Sequence, residues 1–138
     1  MLYHKILVAL NGEVAEKSVI DEAVRIAYAL EGELEAIHVN DPHAGKASMM
    51  MDTLPKLDVE DVRKIFADNG YEALAKRIPV QILEGENYAE TIAKATRRAD
   101  LLIIGHHPKN ALHAFLVDAT DERVADLVDC PVLLVPVK

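Results

Sequence analysis

Residues 5–12 read KILVALNG. After the leading lysine, five apolar residues follow without a break. They show neither the period of two of a half-buried strand nor the 3.6 period of an amphipathic helix. Such a run fits a strand buried on both faces, the kind found in parallel sheets covered by helices. Asn11-Gly12 ends it, a pair that favours a turn.

Downstream, apolar residues recur at Ala15, Val19, Ile20, Ala23, Ile26, Ala27 and Leu30. They form one helical stripe, with Lys17, Asp21, Glu22 and Arg25 mostly opposite. Gly32 follows, where a left-handed C-cap is expected. Residues 33–39, ELEAIHV, give a second strand. Residues 40–56 carry no periodicity and read as a long connection, with Met49-Met50-Met51 as adaptable filler. Residues 58–76 are helical in pattern through Val62, Ile65, Phe66, Leu74 and Ala75, with Gly70 as the point where the helix ends or bends.

Residues 79–83 form a short strand before the turn Glu84-Gly85-Glu86. Asn87 with Glu90 three positions on resembles a capping box, opening a helix with Tyr88, Ile92, Ala95 and Ala99 on one face. Residues 101–104 are a further buried strand, closed by Gly105. A loop with the apolar stretch 111–117 leads to Thr120, the expected N-cap of a helix through Val124, Leu127 and Val128. Residues 131–135, PVLLV, are the last strand.

Five strands alternating with helices require parallel pairing through right-handed crossovers. The reading is a single α/β domain: an open, mostly parallel five-stranded sheet with helices on both faces. The 138 residues suit one such domain. Ligands of such sheets sit beyond the carboxyl ends of the strands, where strand order reverses. That rule gathers Asn11, Gly12, Val39, Asn40 and the residues after Gly105 around one crevice.

Composition narrows the function. With no Trp and 4% aromatic residues, the core is aliphatic. A net charge of −8 leaves no basic footprint for nucleic acid and disfavours an anionic membrane surface. One cysteine, Cys130, excludes an internal disulfide and fits a reducing compartment. No signal segment or membrane span is legible, so a cytoplasmic protein is expected.

Five pieces, in order and spacing, resemble the universal stress protein family over essentially the whole chain: KILVALNG at 5–12, EAIHV at 35–39, ILEGE at 82–86, ADLLIIGHH at 99–107 and DERVADLVDCPVLLVPV at 121–137. The resemblance implies a sheet of order 3-2-1-4-5, stress-related expression and a homodimer. It also implies a comparison with the loop G-x2-G-x9-G-(S/T), through which many members bind ATP. Glycines in such a loop let backbone N–H groups approach phosphates, and a hydroxyl at a helix N-terminus completes the cradle.

Counted from Gly105, the second glycine falls on Pro108 and the final pair on Asp118 and Ala119. Pro108 has no N–H and cannot take a positive φ. Asp118 sets a carboxylate where phosphates would sit, a repulsion of about 3–4 kcal/mol before screening. That alone weakens binding by about two orders of magnitude. Ala119 lacks the hydroxyl, and Asn11 replaces the first-strand acid that helps hold adenosine. Lys109 alone remains to attract an anion. Gly105-His106-His107 looks like the universal stress protein A branch, whose members are regarded as not binding ATP.

Other chemistry finds weak support. His106, His107 and His113 suggest a metal, but adjacent histidines point apart, and convergence of three or four ligands is not expected. Cys130 beside Asp129 reads as a structural thiol rather than a redox sensor. Ser18 and Ser48 lie in a helix and a loop rather than at a nucleophile elbow. His38 reads as a face residue at the sheet end.

The last strand, apolar and at an edge in the 3-2-1-4-5 order, needs cover. An antiparallel two-fold contact through Val132, Leu133, Leu134 and Val135 supplies it. The expected function is therefore a non-catalytic, dimeric stress-response protein acting through protein contacts, with weak or no ATP binding and no cofactor. The alternative is an ATP- or AMP-binding stress sensor with a remodelled phosphate loop.

Overall fold

The computed structural model describes residues 3–13, 16–42, 56–106 and 123–137. Chain order gives β1 (Lys5–Ala9), α1 (Lys17–Leu30), β2 (Glu33–Asn40), α2 (Val59–Asp68), α3 (Glu72–Arg77), β3 (Val80–Glu84), α4 (Tyr88–Ala95), β4 (Leu101–His106) and β5 (Val132–Pro136). A further helical stretch covers residues 123–127. The five strands form one sheet of order β3-β2-β1-β4-β5. All four pairings are parallel. Strand order reverses beside β1, which lies between β2 and β4.

The apolar run of β1 divides its side chains between two cores. Ile6, Val8 and Leu10 pack with Val19, Ile20 and Ala23 of α1, Val62 and Phe66 of α2, and Ala75 of α3. Leu7 and Ala9 face the other way, onto Ala89 and Ile92 of α4 and onto Val124. Both sheet faces are thus covered, and this explains why β1 has no polar alternation.

Turn chemistry positions the helices. Asp58 caps α2 in a reciprocal box with Asp61. Asn87 caps α4 by accepting from the Glu90 N–H at 3.1 Å. Gly70, at φ 94, separates α2 from α3 within the segment that patterned as one helix.

Two glycines do different work from that expected. The left-handed residue after α1 is Glu31 (φ 55), whose N–H reaches the carbonyl of Tyr28. Gly32 is instead a point of close approach: a Cβ there would lie 2.5 Å from the Tyr3 carbonyl oxygen and 2.6 Å from Ile6. Gly105 does not close β4, which continues through His106. A Cβ on Gly105 would stand 2.8 Å from Val137 and 3.1 Å from Val19, so the residue lets α1 and the tail of β5 meet over the sheet.

Candidate functional site

The carboxyl ends of β1, β2 and β4 bring together Asn11, Gly12, Val39, Asn40, Gly105 and His106, the described members of the expected crevice. His107, Pro108, Lys109, His113, Asp118, Ala119 and Thr120 lie outside the described residues, as do Ser48 and Met49–Met51.

The exit of β1 is occupied by a group that sequence reasoning missed. Glu16 stands at the N-cap position of α1, yet its side chain caps no N–H of that helix. It turns back, and its carboxylate accepts from three consecutive backbone N–H groups. Oε1 takes Asn11 at 3.0 Å, Gly12 at 2.8 Å and Glu13 at 3.0 Å, while Oε2 takes Asn11 at 2.9 Å. Gly12 adopts φ 88, which lets these donors converge. Glu16 is 1% exposed. Burial raises its pKa above the ordinary 4.5; the N–H groups oppose that rise and the charge of Glu13 adds to it.

The exit of β2 carries a second buried polar cluster. His38 is no open face residue: it is 5% exposed, and Asn40 is 3% exposed. Both share the strand parity of Leu34 and Ala36, which face α1, α2 and α3. The His38 ring lies with Nδ1 2.7 Å from the Leu10 carbonyl oxygen and Nε2 2.9 Å from Asn40 Oδ1. Asn40 Oδ1 also accepts from the Leu57 N–H at 3.0 Å, and Asn40 Nδ2 donates to the Leu57 carbonyl at 2.8 Å. One imidazole and one amide thereby tie the end of β1, the end of β2 and the approach to α2. Each ring nitrogen of His38 thus faces a protein oxygen at hydrogen-bond distance. Leu57 in turn packs over Gly12, where a Cβ would come within 2.7 Å of it.

Asn11 itself is exposed, and Val39 is half-buried against the α4 face. Ser18 donates to the Pro136 carbonyl at 2.9 Å, joining the start of α1 to the end of β5. Among the described residues, no three His, Cys, Asp or Glu side chains converge as metal ligands. The thiol of Cys130 is half-buried; burial foremost, then the carboxylates of Asp100 and Asp129, pushes its pKa up, away from thiolate reactivity.

At the sheet edge, Leu134 is 42% exposed, Val132 and Leu133 are half-buried, and Val135 is buried in the α1 face. Of the expected contact residues, Leu134 therefore offers side-chain surface, while Val135 belongs to the core. No helix among the described residues is long and apolar enough to cross a membrane.

Comparison with known proteins matches residues 2–136 to the family model described as the universal stress protein family. A universal stress protein of Methanocaldococcus jannaschii is 28% identical over 142 residues, spanning 97% of this chain and 82% of the relative. Among solved structures, a universal stress protein in complex with cAMP superposes with a TM-score of 0.72 at 20% identity, covering 99% of this chain and 98% of the other. A protein of that family from Burkholderia pseudomallei gives a TM-score of 0.63 at 25% identity, with 98% and 97% covered.

Proposed function

The chain belongs to the universal stress protein family, and from that premise we propose that it is a non-catalytic, cytoplasmic, dimeric stress-response protein that acts through protein contacts and binds ATP weakly or not at all. The observation that carries this reading is the self-filled crevice. The N–H groups leaving β1 are spent on the carboxylate of Glu16, and the His38 and Asn40 side chains ending β2 are spent on each other, on the Leu10 carbonyl and on the Leu57 backbone. A nucleotide entering here must displace bonds already made, and loses the corresponding gain.

The sequence beyond β4 points the same way. Pro108, Asp118 and Ala119 stand where a phosphate loop needs two glycines and a hydroxyl, and Lys109 alone favours an anion. Ser18 donates to the Pro136 carbonyl rather than to a base, which supports a non-catalytic reading, and the proposal calls for no cofactor. Dimerisation through β5 supplies the missing neighbour of the edge strand, in an antiparallel contact centred on Leu134.

A second reading, a nucleotide-binding sensor with a remodelled loop, is favoured by the likeness to a family structure solved with cAMP. Absorbance near 260 nm released on denaturing the purified protein separates the two. The first reading expects none beyond the protein's own, and the second expects about one adenine nucleotide per chain.

A further inference from the structure

Glu16 is a buried carboxylate whose hydrogen-bonding partners, among the described residues, are the backbone amides of residues 11–13. Three successive amides converging on one oxygen, with a left-handed glycine in the middle, make an anion nest, and the N-terminus of the 14-residue α1 lies just behind it. Such donors favour any oxyanion of the right size.

We propose that residues 11–13 form an oxyanion-binding nest that Glu16 keeps closed from within, and that withdrawing the Glu16 side chain opens it to an external carboxylate or phosphate oxygen. The plug is held at a cost, because burying a carboxylate is unfavourable and its partners among the described residues are backbone dipoles. Its cover is also linked to the strand ends, since Leu57 packs over Gly12 and is fixed by both polar atoms of the Asn40 side chain. Leu57 thus braces the left-handed Gly12 in the middle of the nest, and Glu16, which takes all three amides, is the autoinhibitory contact. The inference rests on the self-filled crevice proposed above, but its test uses no nucleotide, so the release of 260 nm absorbance judges that reading separately.

The test is an amide NMR titration of the full chain with sodium acetate, then with inorganic phosphate, at fixed ionic strength. In Glu16→Ala, the Asn11, Gly12 and Glu13 resonances are expected to shift saturably, with affinity at least about tenfold above wild type, the loss of one charge-assisted competitor. Glu16→Gln keeps the Oε1 acceptor that takes three of the four bonds, and is expected to stay closed. Should the Ala chain not fold, Glu16→Asp draws the carboxylate back by one methylene and is read in the same way. Amides 11–13 that move no more in a folded Ala or Asp variant than in wild type would overturn the proposal. So would a Gln variant that takes up acetate as readily as Ala does.

Discussion

Glu16, His38 and Asn40 are buried polar side chains at the strand exits: Glu16 is held by backbone amides of residues 11–13, His38 faces the Leu10 carbonyl and Asn40, and Asn40 binds the Leu57 backbone. Burying a carboxylate favours its neutral form, and burial is the largest influence on Glu16. The folded chain therefore binds this proton more tightly than the unfolded chain. The stabilisation from that bound proton is full below the ordinary value of 4.5 and is lost as pH rises through the raised folded value. Urea unfolding of wild type and Glu16→Gln, followed upward from about pH 4, near the ordinary carboxylate value, should show wild type losing stability relative to Gln as pH rises. A difference independent of pH, or one of opposite slope, would count against the burial argument. These groups were hard to read in the sequence for a physical reason. Glu16 lies on the polar side of a pattern whose helix begins at Lys17, so nothing in its spacing announces that it turns backward. Asn40, which His38 faces, binds the backbone of Leu57, a partner across a long connection.

At the scale of elements, the strands and helices were largely legible because buried parallel strands and amphipathic helices have distinct periods. Gly70 was expected to end or bend a helix, and it separates α2 from α3. Gly32 and Gly105 were read as caps and stops, whereas close approach is their physical role, and close approach is a tertiary fact. The distinction has a measurable consequence. Gly32→Ala forces a Cβ against the Tyr3 carbonyl oxygen and Ile6, and is expected to cost about 2–3 kcal/mol as an overpacked site. Gly70→Ala meets nothing within 4 Å and carries only the strain of its φ of 94, about 1 kcal/mol. Chemical denaturation should thus rank Gly32→Ala below Gly70→Ala, and the reverse order would contradict this assignment of roles.

At the scale of the whole molecule, β5 is one of the two edges of the described sheet, and Leu134 is an exposed apolar side chain on it. If that edge pairs with a second copy, Leu134→Arg should convert a dimer to a monomer in sedimentation velocity while leaving the fold intact. Wild type that sediments as a monomer would remove the dimer from the account. The sheet order was legible in advance through family resemblance, and with it the adjacency of the β1, β2 and β4 carboxyl ends. The polar groups found there, Glu16, His38 and Asn40, were not, because they come from the helix start and the β2 exit, where no motif marks them. The most direct test of the central claim is a calorimetric titration of ATP into the purified, nucleotide-free chain. A crevice filled by the protein's own groups predicts no saturable heat below about 1 mM ATP. Saturation at one ATP per chain in the micromolar range would contradict it.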